Sequence, residues 1–422
     1  MIRSLINSNS VKAIGIYTFS NFFTKAISFA SLPLFTHLLS KKDFGMISLF
    51  SASIGFLMPL VSWGILYSTG TDYFKLNKVK FRSFLSSTFF LPAVMSVLLV
   101  IIFFFFFRYL EVIAGFQQVF IWLLPLVVYC NFLNEQNLIL VRNSNQPKLF
   151  FWINIIKTIV EIGTAIFLIV AFHYGWLGRI LGTTLAFLLF AIFSVSYLFK
   201  REYLPGKIRI PTIKKELVYS IPAITMQLSI FCITTSDRYF VNYYYGEERT
   251  GVYSLAATFA SVILIFCMAI LQFFSPKIYS ELSKSSSASR IKTILWQYCL
   301  AILGAYLGLV IFTPLAYHYV IGRQFLAGLP YFFLLVTGNA IWCVAFFLYS
   351  FLLYHKAKRK IFFLSFSTIA ISMLVNNILI KRYGEIGAAF SVIINCSYIF
   401  ALMLFATKQY FKPHEKVSQK AL

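Results

Sequence analysis

The sequence predicts an all-α membrane protein with twelve transmembrane helices in two six-helix lobes. Three observations support this class: 59% of the 422 residues are apolar, only 12% are charged, and the mean hydropathy is +0.80. A soluble domain carries about 25% charged residues, so this chain cannot cover itself with a water-compatible surface. Its apolar segments are therefore expected to lie in lipid.

Apolar segments of spanning length follow one another along the chain. Since the hydrocarbon core is about 30 Å thick, each crossing needs roughly 20 apolar residues. The predicted spans cover residues of about 13–39, 45–67, 85–107, 119–141, 149–172, 177–199, 216–242, 251–275, 293–320, 327–353, 361–380 and 386–407. The loops between them reach roughly 15 residues at most, which leaves no room for an extramembrane catalytic domain.

The basic residues are distributed unequally between alternate loops. There are 37 Lys and Arg residues against 13 Asp and Glu residues, which gives a net charge of +24. Of the 37, 26 fall in the loops of one side and nine in the loops of the other. By the positive-inside rule both termini are cytoplasmic. The excess charge therefore indicates topology, and nucleic acid is not expected as a partner.

Residue patterns for cofactor and metal chemistry are missing. The six Cys lie inside apolar runs without CxxC spacing, and the five His are scattered. No Walker loop and no GxGxxG occur, so neither a cofactor nor a metal is expected. The only adjacent acidic residues, Glu247 and Glu248, fall in a predicted outer loop. The sequence therefore predicts a protein that is not an enzyme.

Two local patterns recur at nearly the same offset. KKDFGMISL from Lys41 matches EERTGVYSL from Glu247, and YGWLG from Tyr174 matches YGEIG from Tyr383. Because each half contains an even number of crossings, the lobes are expected to be related by a pseudo-two-fold axis along the membrane normal, with the binding site between them. The predicted regions are the N-terminal lobe 1–199, a basic cytoplasmic linker 200–215, the C-terminal lobe 216–407 and a cytoplasmic tail 408–422.

Lys25 is a candidate for anion binding. It lies about 12 residues into the first predicted span, roughly 18 Å from the start of that span and near the bilayer centre. A lipid-facing Lys at that depth costs about 2.5–3.5 kcal/mol. The side chain is therefore expected either to line a hydrated cavity or to form an ion pair with an acidic neighbour.

Asp237 and Arg238 form the next candidate pair. The aromatic triplet Tyr243 to Tyr245 is typical of a membrane interface and places the pair roughly 9–12 Å below the outer headgroups. Arg offers a planar fork suited to phosphate, and Asp would orient it or carry a coupling proton. Alternatively, both residues lie at the outer boundary and only set the orientation of the span.

Three further charged residues are candidates for coupling or cavity roles. Lys157 and Glu161 are four residues apart, so they either neutralise each other on one helix face or leave Glu161 to exchange a proton or cation. Glu135 lies in the polar stretch CNFLNEQN and either lines the cytoplasmic entrance or pairs with Arg142. Among the prolines within the spans, Pro33 is the predicted hinge.

Three segments carry a resemblance to a known family: Asn21–Leu49, Ser236–Ala256 and Tyr383–Ala389. The chain resembles the polysaccharide (O-antigen) flippases of the multidrug/oligosaccharidyl-lipid/polysaccharide exporter superfamily over essentially its whole length. The resemblance implies a central cationic cavity to which the first helix contributes.

The resemblance also implies a function in the bacterial cytoplasmic (inner) membrane. Such a protein flips a polyprenyl-pyrophosphate-linked oligosaccharide, the repeat unit of O-antigen or a similar surface polysaccharide, from the inner to the outer leaflet by alternating access. Lys25 and Arg238 would attract the pyrophosphate. The implied partners are membrane lipids, a polysaccharide polymerase and chain-length machinery. With no nucleotide site, we expect a proton or sodium gradient to act through Glu161 or Asp237.

Two alternative functions remain at this stage. A cation-coupled multidrug exporter shares the fold class, but cationic drugs call for intramembrane carboxylates, and this chain has few. A membrane polysaccharide polymerase generally carries its catalytic residues in sizeable outer loops, which the predicted spans do not leave.

Overall fold

A computed structural model describes residues 9–114, 117–283, 288–355 and 357–408, and within these ranges the chain is helical with short connections and no strand. The helices are α1 Asn9–Ala30, α2 Leu32–Leu38, α3 Lys41–Ser62, α4 Ile65–Lys75, α5 Lys78–Ala114, α6 Gln118–Asn143, α7 Pro147–Phe172, α8 Gly175–Lys200, α9 Ile210–Tyr219, α10 Ile221–Thr234, α11 Asp237–Tyr245, α12 Glu247–Ala260, α13 Val262–Ser283, α14 Ala288–Tyr319, α15 Leu329–Tyr354 and α16 Lys358–Thr407. A 3₁₀ helix, Arg323–Gly328, precedes α15.

Long apolar helices dominate the described ranges. Nine helical segments there are long and apolar enough to cross a membrane, and α10 is a shorter apolar helix. The 50-residue α16 consists of two helices that meet at Gly384, where φ is 61° and ψ is −139°. The predicted class, a multi-pass all-α membrane protein, is confirmed.

Several predicted spans are interrupted. The segment 216–242 is divided among α9, α10 and α11, with breaks at Ser220 and at residues 235–236. The second span breaks at Trp63 and Gly64, which have positive φ angles of 45° and 69°. Hydropathy alone predicts continuous helices here, because a change of backbone direction does not alter the apolar character of a segment.

The described chain divides into two compact units. The first contains the residues up to Phe231 together with Tyr245–Gly251, and the second contains Cys232–Tyr244 and the residues from Val252 onward. Residues 216–231, predicted as part of the C-terminal lobe, thus lie in the first unit.

Close helix packing in the first unit depends on small residues and on one acidic cap. Added Cβ atoms at Gly178 and Gly182 of α8 would collide with Ile169 and Ala165 of α7. Asp43 forms a capping box with Ser40 at the start of α3. Its Oδ1 also accepts a hydrogen bond from the backbone N–H of Trp176 at 3.0 Å, which ties the start of α3 to the start of α8.

The two copies of the first repeated motif contact each other within the first unit. A Cβ atom at Gly45 would collide with the carbonyl oxygen of Glu247, and a Cβ atom at Gly251 would collide with that of Lys41. Lys42 and Glu247 form a salt bridge of 3.2 Å beside this crossing. Glycine at both positions therefore allows the starts of α3 and α12 to meet backbone to backbone.

The segment that follows α8 is attached to α5. The backbone N–H groups of Gly206 and Arg209 donate hydrogen bonds to Ser86 and Ser87 at 2.6 and 2.8 Å. The Lys78 ammonium donates to Glu202 at 2.7 Å, and this hydrogen bond lowers the pKa of the exposed Glu202 carboxyl. Part of the predicted linker is therefore held against the first unit.

The second unit is built around the contact of α15 with α16. A Cβ atom at Gly338 would collide with Val392, so the two helices approach closely. Fully buried Tyr298 of α14 donates a hydrogen bond to the carbonyl of Cys343 at 2.7 Å. Asn339 of α15 donates to the carbonyl of Ala260 at 3.1 Å. Polar side chains thus connect α12, α14 and α15 inside an apolar core.

Candidate functional site

The first unit contains a polar cavity of about 230 Å³. We call it the first-unit cavity. Its polar lining consists of Ser51, Asn131, Glu161, Arg179 and Thr183. Helices α3, α6, α7 and α8 contribute these side chains, and apolar residues complete the wall. A cavity with one carboxylate and one guanidinium fits a small polar or charged ligand.

Glu161 is paired across two helices. Its Oε1 lies 3.0 Å from Arg179 Nη2 and accepts a hydrogen bond from Thr183 at 3.1 Å, and the Glu161 and Arg179 side chains are each 20% exposed. The guanidinium also stacks over the ring of Phe35, 5.0 Å from its centroid. Arg179 is the fifth residue of α8.

Of the two alternatives for Lys157 and Glu161, the pairing of the two residues on one helix face is not found. Lys157 Nζ lies over the ring of Phe187, 5.3 Å from its centroid, and the salt bridge of Glu161 is made to Arg179. The i, i+4 rule considers one helix only. In the folded chain, α8 packs so closely on α7 that its Arg179 reaches the carboxylate. Phe187 belongs to the wall of the first-unit cavity, and Lys157 itself is not one of the lining residues.

Lys25 lies on an exposed face of α1. The first half of this helix packs on α7, where Tyr17 contacts Phe150 and Phe19 stacks on Phe151 at ring distances of 5.1 and 6.2 Å. No carboxylate of the described chain forms a salt bridge with Lys25. The ion-pair alternative for this residue is therefore not found.

Pro33 follows an interruption of the first span. Helix α1 ends at Ala30, and Pro33 occupies the first turn of α2 after Ser31. A proline suits this position because the first backbone N–H groups of a helix have no intrahelical acceptor. The predicted hinge thus coincides with a break between two helices.

Glu135 lies half-buried on α6 among amide side chains. No salt bridge between Glu135 and Arg142 occurs in the described ranges. Its neighbour Gln136 donates to Thr69 at 2.7 Å, and Asn134 donates to the carbonyl of Phe187 at 3.1 Å. The amides of this stretch therefore fasten α6 to α4 and α8.

The second unit contains a buried cluster around Asp237, which we call the Asp237 cluster. Asp237 is the first residue of α11 and is 2% exposed. Its Oδ2 accepts a hydrogen bond from Tyr253, and its Oδ1 accepts from the backbone N–H of Arg238 at 2.9 Å. The break before α11 presents the carboxylate to helical N–H groups, where negative charge is stabilised.

Neutral amides extend this cluster through α16. Asn376 donates to Ser236 at 2.9 Å, and Asn395 donates to the Asn376 carbonyl oxygen at 3.3 Å. Ser236, Asn376 and Asn395 are at most 2% exposed. These amides were missed from the sequence because they carry no charge. The signal available was their occurrence within otherwise apolar spans, where a polar side chain needs a partner.

Arg238 is half-buried beside Asp237 on α11. The burial of Asp237 argues against the alternative in which both residues lie at a solvated boundary, because a boundary carboxylate keeps contact with water.

No group of three or more His, Cys, Asp or Glu side chains suited to a metal ion occurs in the described part of the chain.

Fold and charged clusters together define a multi-pass membrane protein that keeps polar groups inside its helical units. A family model described as "Polysaccharide biosynthesis protein" matches residues 10–278, which is more than half of the chain. The chain therefore belongs to the polysaccharide biosynthesis protein family, and the resemblance found in the sequence is confirmed. No curated protein matches the sequence significantly.

Solved structures share the fold at low sequence identity. A lipid II flippase MurJ in an inward closed conformation superposes with a TM-score of 0.72 at 17% identity, covering 93% of this chain and 87% of that one. An inward-facing multidrug resistance MATE family transporter of the MOP superfamily gives 0.64 at 12% identity, covering 92% and 98%. A MOP superfamily transporter from Pyrococcus furiosus, described as having a binding pocket of reverse polarity, gives 0.60 at 12%, covering 98% of each chain.

Proposed function

We propose that this protein flips a polyprenyl-pyrophosphate-linked oligosaccharide, a repeat unit of O-antigen or a similar surface polysaccharide, from the inner to the outer leaflet of the bacterial cytoplasmic membrane. The observation that carries the proposal is membership of a polysaccharide biosynthesis family combined with a fold that a lipid II flippase also has. In this proposal twelve spans form two lobes related by a pseudo-two-fold axis, and both termini are cytoplasmic.

The physical task is to move a sugar headgroup through hydrocarbon. Each hydroxyl that loses water without gaining a hydrogen bond costs about 1–3 kcal/mol, so an unassisted oligosaccharide faces a prohibitive barrier. A hydrated path between the lobes, opened alternately to either side, removes this cost. The polyprenyl chain stays in lipid throughout.

Lys25 is the proposed anchor for the pyrophosphate. Its ammonium is exposed on α1, and it has no carboxylate partner in the described chain, so its charge is available to an anionic ligand. Arg238 is the second proposed anion-binding residue, with Asp237 orienting it. The break at Pro33 would allow α2 to change direction relative to α1 during the cycle.

Asp237 is the better candidate for ion coupling. Glu161 has a guanidinium partner at 3.0 Å, so its charge is already compensated. Asp237 is more deeply buried than Glu161; it accepts hydrogen bonds from a tyrosine hydroxyl and a backbone N–H, and its positively charged neighbour is Arg238, which this proposal assigns to the pyrophosphate of the substrate. A proton or a sodium ion would compensate Asp237 there. Glu161, Lys157 and Glu135 are then proposed to shape polar surfaces of the first unit.

The proposal is tested by replacing Lys25 with Ala and with Arg. Purified variants in proteoliposomes, given a fluorescent lipid-linked oligosaccharide, should show strongly reduced flipping with Lys25→Ala and substantial activity with Lys25→Arg, because Arg keeps the charge. Lys200→Ala, an exposed charge at the end of α8, is the matched control and should keep full activity. Full activity of Lys25→Ala would remove Lys25 from the mechanism.

A cation-coupled multidrug exporter is the second candidate, favoured by the fold shared with MATE transporters. The same proteoliposomes distinguish the two functions, since a multidrug exporter would move cationic dyes and leave the lipid-linked sugar in place. Formation of glycosidic bonds by the purified chain would instead indicate a polymerase.

A further inference from the structure

The first-unit cavity keeps polar groups that are available to a ligand. Glu161 contacts Arg179 through Oε1, and its Oε2 accepts no hydrogen bond from the residues that the structure describes. Among the same residues the Ser51 hydroxyl has no hydrogen bond, and the Asn131 amide makes one weak contact, to Met58 Sγ at 3.8 Å. Ser51 is exposed, and the Glu161 and Arg179 side chains are each 20% exposed, so a ligand can reach the cavity.

The cavity lies halfway along a helix of spanning length. Glu161 is near the middle of the 26-residue α7, which is long and apolar enough to cross a membrane. Polar and ionisable groups at such a depth are costly, and they typically mark the route of a polar substrate. The cavity is therefore suited to a polar molecule on its way through the membrane.

The charges in the lining cancel. Its carboxylate, Glu161, and its guanidinium, Arg179, are 3.0 Å apart, and the rest of the polar lining is neutral. The Lys157 ammonium lies over the ring of Phe187 and is not part of the lining. A phosphate would find no uncompensated cation in the lining, and a cationic drug would find no uncompensated carboxylate. The lining thus favours a neutral ligand.

The remaining wall and the size of the cavity narrow the class of ligand further. The apolar part of the wall consists of Ile47, Phe50, Ile54, Ile180 and Phe187. A pyranose ring carries hydroxyls around its edge and C–H groups on its faces, so it can use the polar groups and the apolar wall together. The volume of about 230 Å³ is smaller than that of pockets for drug-sized ligands, about 300–1,000 Å³, and suits a single sugar ring.

We propose that the first-unit cavity binds one neutral monosaccharide unit of the translocated oligosaccharide. Glu161 Oε2 accepts a hydrogen bond from a sugar hydroxyl, the Asn131 amide donates and accepts, and Ser51 does either. The inference rests on the proposed function, because it takes the sugar from the lipid-linked substrate. It adds a site of its own, since neither Lys25 nor Arg238, the residues proposed for the pyrophosphate, lines the cavity.

Sugar binding to the purified full-length protein tests this inference. Methyl glycosides of glucose, galactose, N-acetylglucosamine and rhamnose are titrated by saturation-transfer NMR in a detergent without a sugar headgroup. The test variant, Ser51→Ala/Asn131→Leu, removes two polar groups that have no strong hydrogen bond inside the described chain, and it leaves the ion pair in place. The control, Asn154→Leu/Ser196→Ala, makes the same changes at a half-buried and an exposed position outside the lining.

The wild type and the control should bind at least one of the glycosides with affinities that agree within about twofold. The test variant should bind it about fivefold more weakly or worse, because each lost hydrogen bond lowers the affinity by roughly two- to tenfold. Equal affinities of the three proteins, or no saturable binding of any glycoside by the wild type, would overturn the proposal. Displacement of the glycoside by a cationic dye would indicate a drug site and would also overturn it.

Flipping kinetics separate this inference from the proposed function. With a lipid-linked oligosaccharide in proteoliposomes, the test variant should raise KM about fivefold and leave kcat nearly unchanged, because it removes binding and no step of the conformational cycle. Flipping with an unchanged KM would overturn the sugar site and leave the proposed function standing. Glycoside binding by a protein that flips no lipid-linked oligosaccharide would contradict the proposed function alone.

Discussion

Gly45 and Gly251 occupy equivalent positions in two copies of one motif. Gly45 faces the backbone carbonyl of Glu247, four residues before Gly251, and Gly251 faces the backbone carbonyl of Lys41, four residues before Gly45. The partners, Lys41 and Glu247, are themselves equivalent in the repeat and are the first residues of α3 and α12. The contact is therefore reciprocal, as expected where two copies of a motif meet around a local two-fold axis.

Replacing Gly45 with Ala should destabilise the protein by about 1–3 kcal/mol, because a methyl group there meets a backbone carbonyl that cannot rotate away. Gly163→Ala in α7 is the control, since nothing lies within 4 Å of its Cβ position. The control should be neutral or stabilising by about 0.5–1 kcal/mol. Reversible unfolding in detergent measures both, and equal stabilities would mean that the crossing is looser than described.

The Glu161–Arg179 pair should behave as a coupled unit. Arg179→Gln leaves a largely buried carboxylate uncompensated, so we expect a loss of about 1–3 kcal/mol in the free energy of unfolding. Adding Glu161→Gln should recover part of that loss, because the double variant buries no unpaired charge. A double-mutant cycle gives the coupling energy. Strict additivity of the two changes would show that the side chains do not interact.

Asp237→Asn should make flipping insensitive to the ion gradient if Asp237 carries the coupling ion. Tyr253→Phe keeps the carboxylate but removes a hydrogen bond to it, at a cost of about 1–3 kcal/mol. This second variant should lower stability while retaining gradient dependence. Flipping in proteoliposomes, with the proton or sodium gradient collapsed in turn, separates the two effects. Unchanged gradient dependence in Asp237→Asn would exclude the coupling role.

The double variant Ser86→Ala/Ser87→Ala should expose the linker to trypsin. Both hydroxyls accept hydrogen bonds from linker N–H groups, and each bond contributes roughly 0.5–1.5 kcal/mol, so cleavage after Lys207 and Arg209 should accelerate about tenfold. Thr88→Ala is the control, because the Thr88 hydroxyl donates only within α5. Mass spectrometry of the fragments measures the rates. Similar cleavage in both variants would contradict the attachment.

Hydropathy predicted the fold class because a helix in lipid needs apolar side chains along its whole length, and these can be counted in the sequence. It could not predict the break before Asp237, since Thr235 and Ser236 are small polar residues that a helix also accommodates. The charged candidates were identified because a charged residue within an apolar span is visible in the sequence, and burying its charge is costly. Their partners were not, because Arg179 and Tyr253 reach Glu161 and Asp237 from other helices.

The attachment of the linker to α5 relies mainly on backbone groups and serine hydroxyls. The exposed side chains of Lys207 and Arg209 take no part in these bonds, so they tolerate exchange for other residues without loosening the segment. Displacement of α9 must either carry α5 along or break the hydrogen bonds between the linker and α5. The segment is therefore a short, restrained connection that leaves little freedom for α8 and α9 to move independently.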